Sequence, residues 1–324
     1  MRIIFDLNHP AHINFFRNAI QQLRTLGHEV QIAVLMRGRL PAIVKKELKN
    51  YPIFYTGRHT GSYLSIIFEA NIIKFFRLFY YTFKTKPELG VSVGSFVLGA
   101  CLKLQGKRNI QFDDDPESAN NLWLEKLTAD QLIVPENVRT SQEFEIFRGL
   151  KEWAYLSPRY FSPTEKIVKA YRLEKYNYLF IREVSSGSLN YKDQGSFNVL
   201  SFASLIKEDI KVVLSLENKK LKSQFPATWV HLEEPVEDIH SLMYFAKIVI
   251  SSGDSMAREG AMLGRPSIYC GKRKMRANDV LISKNILFHL NPSIVPQTID
   301  RIIEGEFVLP EQKIFRNHLL EEWD

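Results

Sequence analysis

The chain has 324 residues, 45% of them hydrophobic, with a formal net charge of +7. That length exceeds the usual span of one hydrophobic core and favours two domains of roughly 150 residues each. Its two cysteines, Cys101 and Cys270, lie far apart and have no Cys/His partner at metal-ligand spacing, which excludes a structural zinc and fits a reducing compartment.

Taken in chain order, the amino terminus MRIIFDLNHP has too short an apolar run for a signal peptide before Asp6 interrupts it. It reads as a buried first strand of a cytoplasmic protein. Asn8, His9 and His12 follow that strand and precede a helix, at the carboxyl edge where α/β sheets bind ligands. A histidine there can take a proton from an acceptor hydroxyl; the plainer alternative for His9 or His12 is capping or packing.

Residues 62 to 83, SYLSIIFEANIIKFFRLFYYTF, are dense in Ile, Phe and Tyr, but Glu69, Lys74 and Arg77 break the uncharged run that a bilayer crossing needs. An amphipathic helix is predicted. Its plain reading is a core helix packed on a sheet; its functional alternative is a face that touches the membrane's inner surface or an apolar acceptor. The positive charge suits anionic lipid, nucleotide phosphates or nucleic acid equally, so charge does not choose.

Further candidate strands are 29–34, 89–94, 109–112 and 131–134, with helical patterns between them. Asp113, Asp114 and Asp115 follow the strand at 109–112. They can orient an acceptor or serve as base, but Asp-Asp-Asp-Pro is also an ordinary turn and helix cap. Then comes EWAYLSPRYFSPTEK, whose Pro158 and Pro163 obstruct regular structure. The second half repeats short apolar runs at 178–181, 211–216, 228–232, 247–250 and 267–270. Strands alternating with helices predict α/β architecture with parallel sheets. The expected organisation is a Rossmann-like domain over 1–157, a linker over 158–176, a second Rossmann-like domain over 177–308, and a carboxyl-terminal helix over 309–324 that packs back on the first domain.

Neither G-x-G-x-x-G after the first strand, nor a P-loop, nor a G-x-S-x-G elbow occurs. Dehydrogenase, kinase and α/β-hydrolase readings therefore lose support. What does occur is KIVISSGDSMAREGAMLGRPSIYCG over 247–271, a strand, polar turn, short helix, glycine and strand. Backbone N–H groups at such a helix start favour a phosphate, and Gly253 permits a close approach or an αL turn. Glu259 lies one turn inside, on the face of Ser255, where its carboxylate can accept bonds from two ribose hydroxyls. The plain alternative is a Ser/Asp cap and a solvated glutamate. Lys272, Arg273, Lys274 and Arg276 can neutralise phosphate from the following loop, and Arg182, after the strand at 178–181, is a further phosphate candidate; solvated surface cations are the alternative for each.

The segment PVEDIHSLMYFAKIVISSGDSMAREGAMLGRPSIYCGKR resembles the donor site of the GT-B superfamily and is especially similar to the non-hydrolysing UDP-N-acetylglucosamine 2-epimerases. DLNHPAHINFFRNAIQQLRTLGHEV, KPELGVSVGS and GLKEWAYLSPRYF resemble domain of unknown function family 354, described as predicted glycosyltransferases. The resemblance implies two Rossmann-like domains facing a central cleft, a nucleotide sugar, UDP-linked, with Ser252, Gly253 and Ser255 on its phosphates and Glu259 on its ribose, and metal-independent chemistry. Where the epimerases carry a second glycine, this chain has Asp254, which would repel diphosphate unless it points away or pairs with Arg258 or Lys272. The expected activity is glycosyl transfer to an acceptor in cell-surface polysaccharide or glycolipid synthesis, with His12 preferred to Asp114 as base. The alternatives are a UDP-sugar epimerase and an inactive nucleotide-sugar binder. A lipid-linked glycan is the candidate acceptor, and no nucleic-acid partner is expected.

Overall fold

A computed structural model describes residues 1–59, 65–116, 122–139, 142–185, 195–233 and 236–324. The chain divides into two compact units, Met1–Tyr155 and Leu156–Asp324.

The first unit holds β1 (Arg2–Leu7), β2 (Glu29–Arg37), β3 (Ile53–His59), β4 (Leu89–Val93), β5 (Arg108–Phe112), β6 (Gln131–Pro135) and β7 (Glu145–Phe147). Among the described residues these form one parallel sheet in the order β3-β2-β1-β4-β5-β6-β7. The order reverses beside β1, so the loops after β1 and β4 open a crevice at the carboxyl edge.

Alternation along β1 explains why both faces are covered. Ile3, Phe5 and Leu7 enter one core with Ile13, Phe16 and Ile20 of the helix Pro10–Thr25, while Ile4 enters the opposite core with Leu78, Leu98 and Leu102. Asp6 falls on the Ile4 face and is fully buried. The predicted helix over 62–83 is helical from Ser65, with π-type turns over Ser65–Ile73 continuing as α-helix over Lys74–Thr85; residues 62–64 lie outside the described residues. Among the described residues no helix is long and apolar enough to cross a membrane.

The second unit holds β8 (Leu179–Glu183), β9 (Val212–Leu216), β10 (Val230–His231), β11 (Ile248–Ser251), β12 (Ser267–Tyr269) and β13 (Leu287–His289). Among the described residues they pair in parallel in the order β10-β9-β8-β11-β12-β13. β8, β9, β11 and β12 bury alternate residues such as Ile181, Leu214, Ile250 and Ile268 in one core. The helix Asp254–Met262 sits close on β11 and β12, because a Cβ at Gly260 would lie 2.6 Å from Ser267 Oγ and 2.7 Å from Val249 Cβ. Gly264, at φ +76°, ends that helix in the left-handed region. Within 158–176 a short helix forms over Lys166–Ala170. The helix Gln312–Trp323 begins where Gln312 Nε2 donates to the carbonyls of Leu263 (2.9 Å) and Tyr244 (3.0 Å).

Candidate functional site

At the carboxyl edge of the first sheet, the chain leaves β1 through Asn8 and enters the helix Pro10–Thr25 with His9 as its cap. His9 Nδ1 accepts the Ala11 N–H at 3.2 Å, so the capping alternative is realised for His9. His12 Nδ1 accepts the Asn8 N–H at 3.3 Å. A backbone amide can only donate, so a neutral His12 carries its proton on Nε2. Burial and the neighbouring His9 hold His12 well below the ordinary histidine range, at about 3, against an opposing pull from Asp114. Below Asn8, Lys74 Nζ donates to Asn8 Oδ1 and Asp6 Oδ2 at 2.6 Å each, and Ser95 Oγ donates to Asp6 Oδ2 at 2.9 Å. This network sets the floor of the crevice.

Asp114 is ion-paired with Lys151. Asp113 turns inward and is buried, with its Oδ1 accepting the Asp115 N–H at 2.9 Å. Desolvation raises Asp113 to about 6, and it raises buried Glu125 to about 8 with the help of Asp113 and Asp114. Asp114 is half-buried and has the Lys151 cation opposite it.

The second unit brings its candidates to the carboxyl edges of β8 and β11. Ser252, expected on the phosphates, is fully buried, and its Oγ accepts the Val184 N–H at 2.9 Å. That ties the end of β8 to the turn after β11. Glu183 is buried beneath the same turn, accepts the Val199 N–H at 2.6 Å, and is pushed up to about 7 by burial. Gly253 caps the helix Asp254–Met262 in extended backbone, φ −106°, so the αL turn does not occur. Its N–H donates to Ser251 Oγ at 3.0 Å.

Asp254 is buried and lies 3.2 Å from Arg258 Nη1 and 3.7 Å from Arg273 Nη1. Its departure from the epimerase pattern is thus neutralised by Arg258, as one alternative anticipated, and Arg273 also lies beside it. Arg258 is itself buried and also donates to Asn278 Oδ1 at 2.9 Å. Lys272 is exposed on the following loop. Arg182, at the edge of β8, donates to Ser215 Oγ at 2.7 Å and lies 3.9 Å from Glu217.

Glu259 is not the solvated helix residue of its plain alternative. It is 7% exposed, and its Oε2 stands 3.5 Å from Nε2 of His240. His240 belongs to the helix Ile239–Tyr244, capped by Asp238, and its ring meets the edge of Phe161. His240 lies inside the donor-like segment, where its only local signal is the Asp238 cap that starts its helix. Lys74, Lys151 and Glu183 likewise show little local sign of function, since their partners are distant in sequence.

The family model described as Protein of unknown function (DUF354) matches residues 1–317. The chain belongs to this family. A comparison with curated proteins finds no match. Among solved structures, this DUF354 chain is similar to UDP-N-acetylglucosamine 2-epimerase from Rickettsia bellii, with 12% identity, TM-score 0.70, and coverage of 99% of this chain and 95% of that one. It is similar to the spinosyn forosaminyltransferase SpnP at 15% identity and TM-score 0.70, covering 99% and 95%. It is also similar to UDP-GlcNAc 2-epimerase from Neisseria meningitidis bound to UDP-GlcNAc, at 12% identity and TM-score 0.66, covering 98% and 94%. At these identities the likeness establishes the fold, and the DUF354 chain has the two-domain α/β fold of GT-B type.

Proposed function

We propose that the chain is a glycosyltransferase that moves a sugar from a UDP-linked donor to an acceptor used in cell-surface polysaccharide or glycolipid synthesis. The observation that carries this reading is the position of Glu259, a carboxylate one turn into the helix that starts at the carboxyl edge of β11, held beside His240. In this reading Glu259 accepts the ribose hydroxyls, and the N–H groups at the helix start meet the diphosphate with Ser255. Arg182, Arg273 and Lys272 supply positive charge from the chain itself, so no metal is assigned.

In the first unit, His12 in its Nε2–H form donates to the acceptor oxygen, while Asp114, held by Lys151, takes the acceptor proton. This reverses the order of preference read from sequence, because a base at His12 Nε2 would need a second proton on a ring whose Nδ1 faces the Asn8 N–H.

A UDP-sugar 2-epimerase is the second reading. Its support is the pair Asp113 and Glu125, buried carboxylates raised to about 6 and about 8, which suit acid/base work in elimination and re-addition. Incubation with a panel of nucleotide sugars, with and without a lipid-linked acceptor, separates the readings. UDP release only with acceptor supports transfer, interconversion of the sugar without acceptor supports epimerisation, and binding without either product indicates an inactive binder.

A further inference from the structure

The helix Ser65–Thr85 buries Lys74, Leu78 and Thr82 against the sheet and exposes large apolar side chains on its other side. Phe68, Ile72, Phe76, Tyr80 and Phe83 recur at intervals of four, four, four and three, on one helix face, and are 43% to 67% exposed. A solvated helix face is ordinarily polar. Two further helices share this layer: Gln105, just past Phe96–Lys103, donates to the Phe79 carbonyl, and Lys103 donates to the carbonyl of Leu127 in Leu122–Thr128. They too expose large apolar groups, Leu104, Trp123 and Leu127. Large apolar groups are thus exposed on or just past three neighbouring helices, five of them aligned on one helix face.

Fully exposed charge on these three helices is positive. Arg77 lines a shallow groove with Phe54, Tyr55, Phe76 and Tyr80, and Lys84, Lys86 and Lys103 are exposed at its margins. The acidic residues of these three helices are Glu69, half-buried, and Glu125, buried. Phe, Tyr and Trp flanked by Arg and Lys is the composition of a surface that lies in a lipid headgroup region: rings enter the acyl boundary while cations meet lipid phosphates.

We propose that this helical layer docks the first unit on an anionic lipid bilayer, with the stripe Phe68–Phe83 as the inserted face and Arg77, Lys84 and Lys103 as the phosphate contacts. Lys74 of the same helix holds Asn8 at the crevice floor, so docking would set that crevice close to the membrane surface. This inference stands apart from the sugar-nucleotide reading, because vesicle binding needs neither donor nor acceptor.

The test is co-sedimentation of the full chain with vesicles of phosphatidylcholine alone and of an equimolar mixture with phosphatidylglycerol. Binding to the mixed vesicles, weakened by salt and absent on phosphatidylcholine alone, is expected. The triple variant F76S/Y80S/F83S and the charge variant R77E/K84E should each lose about tenfold or more in vesicle affinity, with melting temperatures unchanged because these side chains are exposed. Failure of the wild-type chain to bind mixed vesicles overturns the proposal. So does wild-type affinity in the triple variant, or a concentration-dependent dimer in sedimentation that the triple variant abolishes, which would assign the stripe to a second copy of the chain.

Discussion

Lys74 Nζ lies 2.6 Å from Asp6 Oδ2, and both side chains are buried beneath the crevice of the first unit. In sequence, Asp6 interrupts an apolar strand and Lys74 breaks an apolar helix; in the fold each answers the other. Removing one partner of a buried pair leaves an uncompensated charge, so Lys74→Met should destabilise the protein by about 3 to 5 kcal/mol. Asp6→Asn combined with Lys74→Met should recover part of that loss. Urea denaturation of the single and double variants measures both, and an additive double variant would mean that the pair is not coupled.

Glu259→Ala should lose roughly 2 to 4 kcal/mol of UDP affinity, from two charge-assisted bonds partly replaced by water. Because Glu259 is buried beside His240, stability should also fall, by about 1 kcal/mol. Glu259→Gln keeps an acceptor and should fall between wild type and Ala in affinity. Titration calorimetry with UDP decides, and equal dissociation constants would remove Glu259 from the nucleotide site.

The donor role of His12 predicts an ordering of variants. His12→Ala and Asp114→Asn should both lower kcat far more than they weaken donor binding, since they act on the acceptor in the transition state. His12→Gln retains an N–H donor and should recover activity over His12→Ala. If His12→Gln is as inactive as His12→Ala while Asp114→Asn is active, proton abstraction belongs to His12.

Glu125 makes stability depend on pH with a definite sign. Its carboxyl ordinarily titrates at 4.5 and is raised to about 8 by burial in the fold, so between those values the folded state holds a proton that the unfolded state has lost. The stabilisation is complete below the unfolded value and is lost as pH rises through the folded one. Glu125→Gln, which stays neutral, should flatten the decline between about pH 5 and pH 8 by on the order of 2 to 4 kcal/mol. Denaturation midpoints of both proteins across that range test the prediction, and parallel curves would place the Glu125 pKa near its ordinary value.

Central strands were legible because they are largely buried and most of them read as short runs rich in apolar residues. β1, β2, β4, β5, β6, β8, β9, β11 and β12 all fall within or beside the predicted segments. β3, β7 and β13 were not. They are edge strands, and β3 and β7 include exposed residues, so their apolar signal breaks; the edge strand β10 does fall within the predicted 228–232. Gly264 was visible as the glycine between the short helix and the next strand, and its left-handed backbone turns the chain out of that helix; Gly260, which lets the helix approach β11, shows its role only in the packing.

Sequence by itself determined the alternation of strands and helices, the turn after β11 as the place where a helix begins, and the position of Glu259 one turn inside, since each depends on residues within a few positions of one another. Only the tertiary structure decided which side chains at that turn face inward. Ser252 accepts from Val184, Asp254 is held by Arg258 and Arg273, and Glu259 meets His240 from another helix. The same holds for Asp6 and Lys74, 68 positions apart. Local propensity and period are short-range properties of the chain, whereas burial of a charge is tolerated only where a partner arrives through packing, and that partner's sequence position leaves no local trace.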